Sequence, residues 1–137
     1  MIRQKQLTIA TLGRATYEIT DEISDYVVDA KIDLGLCNLF VQHTSASLII
    51  SENADIDVRR DIEMFMSELV RDGDRRFVHD QEGPDDMPAH IRCLLTQTAL
   101  TIPIRNGRCA LGTWQGIFLW EHRIAPHERH IIVTLSS

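Results

Sequence analysis

Imidazole and carboxylate side chains are concentrated in one irregular stretch of the sequence, HDQEGPDDMPAH at residues 79–90. Three of them, His79, Asp86 and His90, are of the types that bind zinc and similar divalent ions in proteins. A helix that begins near Pro88 would hold His90 beside the preceding acidic turn. The two histidines lack the fixed i, i+4 spacing of a helical metal motif, so a solvated acidic loop is the alternative interpretation. We predict a divalent metal site at His79, Asp86 and His90, and a catalytic role for both histidines.

A second polar group, QHTSASL at residues 42–48, directly follows an apolar run. Small hydroxyls and backbone N–H groups can donate hydrogen bonds to a phosphate or pyrophosphate without adding bulk. A Ser/Thr turn that satisfies its own backbone explains the same residues equally well. We predict that His43 is catalytic and that three hydroxyl side chains bind phosphate, namely Thr44, Ser45 and Ser47.

The stretch LGTWQGIFLWEHR at residues 111–123 carries polar groups at both ends of an apolar strand pattern. Gly112 and Gly116 would allow another backbone or a ligand to approach closely. The indole offers a flat stacking surface, and the glutamine amide both donates and accepts hydrogen bonds. A strand with bulge glycines and a core tryptophan is the alternative. The predicted substrate-binding residues in this stretch are Thr113, Trp114 and Gln115.

Three more histidines lie in the segment EHRIAPHERH at residues 121–130. Their position around Pro126, after the strand, favours a solvated turn over a metal site. We therefore expect these histidines to lie outside the metal site: His122, His127 and His130. Glu121 is expected either to order a pocket or to form a salt bridge with Arg123 or another basic residue.

The composition predicts a single globular domain that spans residues 1–137, because this length is enough to bury one hydrophobic core. The formal net charge of −6 argues against a nucleic-acid partner, since phosphate backbones bind clustered lysines and arginines. No stretch approaches the roughly 20 apolar residues of a membrane span, and the first residues lack the pattern of a signal peptide. We therefore expect a soluble, cytoplasmic protein without a membrane partner.

The three cysteines are far apart and set among apolar neighbours. An odd number with this spacing is typical of reduced thiols in a core rather than of disulfides or a zinc cluster. We expect reduced thiols at Cys37, Cys93 and Cys109.

The periodicity of apolar residues predicts both strands and helices. Apolar positions recur with helical spacing over residues 58–70 after Asn53, a favourable N-cap, and a shorter helix follows Thr20. Asn106–Gly107 predicts a two-residue hairpin turn. Strands are predicted at residues 6–11, 15–20, 36–42, 99–104, 116–120 and 130–135, the first two as a hairpin. These strands, with about two to three helices, predict a compact α+β domain built on β-sheets.

Three motifs in order, HTSASL, EGPDDMPAHI and NGRCALGTWQGIFLWE, resemble the YjbQ-type family, sometimes called secondary thiamine phosphate synthases. The likeness runs nearly from end to end. The signature segment of that family is a strand rich in Gly, Thr, Trp and Gln. It is matched here by Gly107, Gly112, Thr113, Trp114, Gln115 and Ile117.

The resemblance implies a compact α+β subunit that assembles as a homotrimer, with sites near the subunit boundaries. It also implies that the protein joins a pyrimidine pyrophosphate to a thiazole phosphate, releasing pyrophosphate, as a main or a secondary activity. Such chemistry needs a divalent ion, zinc or magnesium, or cationic groups to neutralise the leaving pyrophosphate. A small phosphorylated substrate is the expected partner. The alternative is a non-catalytic trimeric module that binds a metal or a small anionic metabolite through the same residues.

Overall fold

The computed structural model describes the whole chain, residues 1–137, as two antiparallel β-sheets and three helices. The elements in chain order are β1 (Ile2–Ala10), β2 (Ala15–Glu18), α1 (Thr20–Ala30), β3 (Leu34–Val41), β4 (Ala46–Glu52), α2 (Ile56–Leu69), α3 (Asp86–Leu95), β5 (Ala99–Arg105), β6 (Arg108–Cys109), β7 (Gln115–Glu121) and β8 (Glu128–Ser136). One sheet has the strand order β1-β8-β3-β5-β6, and the other has the order β2-β7-β4. The predicted α+β fold is confirmed.

The first two strands are neighbours in sequence but belong to different sheets. Because β1 pairs with β8 and β2 pairs with β7, the predicted first hairpin is wrong. Gly13 lies between them with a φ of 131°, and a Cβ atom there would lie 2.6 Å from the carbonyl oxygen of Ile124. The connection is a closely packed corner between the sheets, which the alternating sequence pattern does not distinguish from a hairpin turn.

Another crossing between the sheets lies at residues 42–45, between β3 and β4. Glu121, the last residue of β7, pairs with Ala15 of β2 on one side and with Ala46 of β4 on the other. Val41, the last residue of β3, pairs with Ile131 of β8. Both crossings therefore lie at the same end of the molecule, and the polar residues that follow β3 lie close to the end of β7.

One hydrophobic cluster of 17 buried residues contains side chains from both sheets and from α1. Alternate residues of β8 from Ile131 to Leu135 point into it, because successive side chains of a strand point to opposite faces. Burial of each large aliphatic side chain stabilises the fold by about 1.5–3 kcal/mol. Of the three free cysteines, Cys37 lies in this core, whereas Cys93 and Cys109 are only half-buried.

The first two helices form where the sequence predicts them, but with different capping. The hydroxyl of Thr20 donates to Glu18 and accepts from the N–H of Ile117, so it connects α1 to β7 rather than capping the helix. The N-cap of α2 is Asp55, whose side chain accepts from the N–H of Asp57 at 2.9 Å. The predicted cap at residue 53 is wrong, because that side chain donates to Glu18 instead.

The third helix begins at Asp86, two residues earlier than the predicted start near Pro88. Proline fits there because the first turn of a helix needs no N–H donor. Asp86 and His90 consequently lie one helical turn apart on the same face. None of the three helices combines the length and the hydropathy that crossing a membrane would require.

The close approach of β3 to β8 at Gly35 gives a test of the sheet. A Cβ atom at Gly35 would lie 2.1 Å from the backbone carbonyl oxygen of Ser136, whereas one at Gly112 would meet only the flexible side chain of Gln115 at 3.4 Å. We expect Gly35→Ala to lower the free energy of unfolding by about 1–3 kcal/mol, since the backbone must move. Gly112→Ala should change it by less than about 1 kcal/mol. Urea unfolding measures both, and equal losses would contradict this register.

Candidate functional site

Two imidazoles and one carboxylate converge at the start of α3. His79 Nε2 lies 2.6 Å from Asp86 Oδ2, and His90 Nε2 lies 3.3 Å from the same oxygen. The two imidazole ring centroids are 5.3 Å apart, and the three ligand atoms all lie within 4.8 Å of one another. The structure thus brings together the three residues that the sequence predicted as metal ligands. Metal binding itself stays a prediction.

Neighbouring groups orient two of these ligands. Arg123 Nη1 donates to Asp86 Oδ1 at 2.8 Å, which leaves Oδ2 to face the imidazoles. His90 Nδ1 donates to the carbonyl oxygen of Thr44 at 3.0 Å, so the Nε2 of a neutral ring carries the lone pair. Burial opposes ionisation of Asp86, but the hydrogen bond from His79 and the nearby positive charges outweigh it and lower the pKa of that carboxyl. Asp86 is therefore a carboxylate at neutral pH.

The donor set and spacing fit a zinc-like ion. Zinc binds imidazole nitrogen and carboxylate oxygen at about 2.0–2.2 Å, so two ligands of a tetrahedral site lie about 3.3 Å apart. The separation of His90 and Asp86 already has this value, 3.3 Å, whereas the 2.6 Å contact of His79 would have to lengthen slightly. Three protein ligands that leave a fourth position open are typical of catalytic zinc sites.

An open groove of about 610 Å³ lies beside the cluster, with His90 in its wall. The predicted site residues His43, Thr44 and Ser45 also line this groove, and so does Arg129. A second hollow of about 410 Å³ contains His79 on its wall. The three-residue cluster therefore lies between two cavities, of which the larger combines polar and apolar walls.

Arg129, which lines the groove, forms a buried ion pair with Glu121. Arg129 donates from Nε to Glu121 Oε1 at 2.8 Å and from Nη2 to Oε2 at 2.5 Å. Thr11 donates to Glu121 at 2.6 Å, and Arg129 Nη2 also donates to Ser45 Oγ at 2.9 Å. Burial alone would raise the pKa of Glu121, but these hydrogen bonds outweigh it and lower the pKa. The basic partner expected for Glu121 is thus Arg129, while Arg123 binds the acidic turn.

His122 is fully buried, so the prediction that it lies in a solvated turn is wrong. Arg92 Nε donates to His122 Nδ1 at 2.9 Å, which places the ring proton on Nε2, and this proton is donated to Ser47 Oγ at 2.7 Å. The hydroxyls of Ser47 and Thr96 lie 2.6 Å apart, and Thr96 donates to the carbonyl oxygen of Arg92 at 2.8 Å. This chain of hydrogen bonds gives partners to His122, Ser47 and Thr96, but the buried Nη1 of Arg92 has none.

The same chain corrects a second prediction, that Ser47 binds phosphate. Its hydroxyl is buried and bonded to both His122 and Thr96, and it does not line the groove. The side chain therefore supports α3 from beneath instead of binding a ligand. The other two histidines of this group are half-buried, His130 within β8 and His127 just before it.

The three predicted substrate-binding residues at the start of β7 lie away from the groove. β7 has seven residues from Gln115 to Glu121, so its ends are about 20 Å apart. Trp114 is 61% exposed, and the side chain of Gln115 accepts a hydrogen bond from the N–H of Gly112. Within one subunit Thr113, Trp114 and Gln115 therefore do not share the pocket of His90, and a role for them at a subunit contact stays a prediction.

Sequence reasoning missed the arginines that hold the site together. The burial of Arg129 could have been predicted, because alternate residues of a strand share one face and Arg129 alternates with the core residues Ile131 and Val133 in β8. A charged residue on the inward-facing side of a strand needs a buried partner. Arg92 gave no comparable signal, since its partners Glu63 and His122 lie about 30 residues away on either side.

Comparison with known proteins places this chain in a family. A family model described as UPF0047 protein YjbQ-like matches residues 5–137. The chain belongs to the YjbQ family. It is 53% identical to the UPF0047 protein sll1880 of Synechocystis over 134 residues, covering 98% of this chain and 91% of that protein. It is 46% identical to YjbQ of Escherichia coli O157:H7 over 135 residues, covering 98% and 97%.

Two solved structures have the same fold. An uncharacterised YjbQ/UPF0047 protein of Clostridium acetobutylicum superposes with a TM-score of 0.86 at 32% identity, covering 96% of this chain and 99% of that one. The hypothetical protein APE1520 of Aeropyrum pernix superposes with a TM-score of 0.90 at 26% identity, covering 98% of both. The family resemblance predicted from the sequence is therefore confirmed.

The buried imidazole of His122 should make the stability of this YjbQ-family protein depend on pH. Burial and the nearby Arg92 lower the pKa of His122 to about 2, whereas an unfolded histidine has a pKa of about 6.5. Above pH 6.5 His122 is neutral in both the folded and the unfolded protein. Below pH 6.5 only the unfolded protein binds a proton at this residue. Stability is therefore lost as pH falls below 6.5, at about 1.4 kcal/mol per pH unit.

We expect the wild-type protein to lose about 2 kcal/mol more stability than His122→Asn between pH 7 and pH 5, by this linkage. The asparagine retains an acceptor near the position of Nδ1 for Arg92 but has no titrating group. Urea unfolding of both proteins at the two pH values gives the difference. Equal losses would mean that His122 is not buried in its neutral form.

Proposed function

We propose that this protein is a metal-dependent transferase that acts on phosphorylated small molecules. The observation that supports it best is the cluster of His79, Asp86 and His90 beside the groove. The far oxygen of Asp86 is bound by Arg123 and the far nitrogen of His90 by Thr44, so the remaining ligand atoms face one another. Two nitrogens and one oxygen suit zinc better than magnesium, which prefers oxygen ligands and water.

The walls of the groove suit a flat heterocycle that carries phosphate. The lining includes the apolar side chains of Phe40 and Leu94 and the polar side chains of His43, Thr44 and Arg129. Apolar walls with a few directed polar groups are typical of sites for small ligands. Together with the family resemblance, this supports the formation of thiamine monophosphate from a pyrimidine pyrophosphate and a thiazole phosphate, with release of pyrophosphate.

The residues of the chain would have distinct tasks in this reaction. A bound divalent ion would supply positive charge to stabilise the leaving pyrophosphate. Thr44 fixes the orientation of His90 through its carbonyl oxygen, and its hydroxyl, with that of Ser45, is available to position phosphate oxygens in the groove. Arg123 keeps the carboxylate of Asp86 in place without occupying its ligand oxygen.

Replacing a metal ligand should lower turnover more than it disturbs folding. We expect His90→Ala to reduce the turnover number at least tenfold, which corresponds to about 1.4 kcal/mol of activation barrier, because charge stabilisation in the transition state is lost. His127→Ala is the matched control, since that partly exposed side chain lies outside the cluster: its Nδ1 is hydrogen-bonded to the carbonyl oxygen of Ala125 and lies 3.7 Å from Glu121 Oε1, beyond hydrogen-bond distance. The assay contains both phosphorylated precursors and added zinc, with a chelated sample beside it.

Two results would contradict the metal mechanism. One is equal product formation with and without chelator. The other is undiminished turnover when both His79 and His90 are replaced and circular dichroism shows that the variant is folded. If a phosphorylated ligand binds tightly and no product forms with any metal, the protein is a binding module instead.

We also propose that the chain assembles as a homotrimer. The family resemblance supports this, and so does the outer face of the five-stranded sheet, where Leu34, Leu36 and Phe40 of the central strand β3 are exposed. An apolar sheet face is normally buried against another layer. Light scattering should give three times the 15.6 kDa chain mass, and a monomer mass at micromolar concentration would contradict the proposal.

A further inference from the structure

The backbone fixes His43 in one tautomer. The N–H of His130 points at His43 Nε2 with a nitrogen to nitrogen distance of 2.8 Å. Because a backbone N–H can only donate, Nε2 must carry a lone pair, and the proton of the neutral ring must lie on Nδ1. The two imidazole rings stack with centroids 5.7 Å apart, which helps to hold the orientation of His43.

This tautomer leaves two donors facing each other in the wall of the groove. Arg129 Nη1 lies 3.3 Å from His43 Nδ1, but both atoms carry protons, so no hydrogen bond joins them. The other guanidinium nitrogens of Arg129 are bonded to Glu121 and Ser45. Nη1 consequently has no acceptor, although only 4% of the arginine side chain is exposed.

We propose that Arg129 Nη1 and His43 Nδ1 form an oxyanion subsite that binds a phosphate group of the ligand. Unpaired donors in a buried position are unfavourable, and an anionic oxygen between them would accept from both. The hydroxyl of Ser45 is a third donor at the same place, because its oxygen accepts from Arg129 while its proton is free. Burial and the charge of Arg129 lower the pKa of His43, which keeps its ring in the neutral form.

The subsite favours a phosphate group that is neither transferred nor released in the reaction. Glu121 balances the charge of Arg129, so the site offers directed hydrogen bonds rather than surplus positive charge to neutralise a leaving group. The metal cluster, which rests on the proposed function, is suited to the leaving pyrophosphate. From these two subsites we infer the class of the acceptor substrate. It is a phosphate monoester whose phosphate group does not react.

The two subsites are close enough for one reaction. His90 is bonded to the carbonyl oxygen of Thr44, and Arg129 Nη2 lies 3.3 Å from the carbonyl oxygen of Ser45, the next residue. Adjacent Cα atoms are about 3.8 Å apart, so ligands at both subsites can meet within the groove.

The test measures binding of inorganic phosphate to the full-length protein in chelator, where the metal cluster does not contribute. We expect phosphate to bind the wild type and His127→Ala alike, and at least tenfold more weakly to His43→Phe. The phenyl ring keeps the stacking on His130 but has no donor. Phosphate binding that is absent, or unchanged in a folded His43→Phe, would overturn the proposal.

A measurement on the wild type serves if the variant does not fold. Long-range proton–nitrogen NMR should show His43 with its proton on Nδ1, and addition of phosphate should shift that resonance. A proton on Nε2, or no shift at saturating phosphate, would overturn the subsite. Because these experiments use no metal and no turnover, failure of the proposed transferase activity would leave their outcome unaffected.

Discussion

The ion pair between Glu121 and Arg129 connects the two sheets at the end where the site lies. Glu121 ends β7 of the three-stranded sheet, and Arg129 lies in β8 of the five-stranded sheet. Removing one partner of such a buried pair typically costs about 3–5 kcal/mol, because the other charge stays desolvated. The pair therefore stabilises the contact between the sheets at this end, and its hydrogen bonds with Thr11 and Ser45 hold the two connecting segments at residues 11–14 and 42–45.

Three consecutive residues at the end of β7 support three different parts of the site. Glu121 orients Arg129 beneath the groove, and Arg123 binds the carboxylates at the start of α3. Between them, His122 accepts from Arg92 in the middle of the same helix. α3 is thus held at its first turn and again one and a half turns later, and His90 lies between these two attachments. This explains why an apolar strand is followed by such a polar sequence.

The sequence predicted those features that depend on neighbouring residues. The period of α2 and the imidazoles near Pro88 could be identified because their patterns are local. His122 was misjudged because its surroundings in sequence are polar, whereas Ser47, its buried partner in space, lies 75 residues away. The corner at Gly13 was likewise mistaken for a hairpin, since the pairing of β1 is decided by β8 at the other end of the chain.

The position of β8 between β1 and β3 has a consequence for the order of folding. β1 has no other strand to pair with, so it must remain without a partner during synthesis until the last strand has emerged. Pairing across so long a separation is entropically costly and slow, and it comes after local structure such as the helices. Since β8 also brings Arg129, closure of the five-stranded sheet and completion of the groove are a single late event in folding.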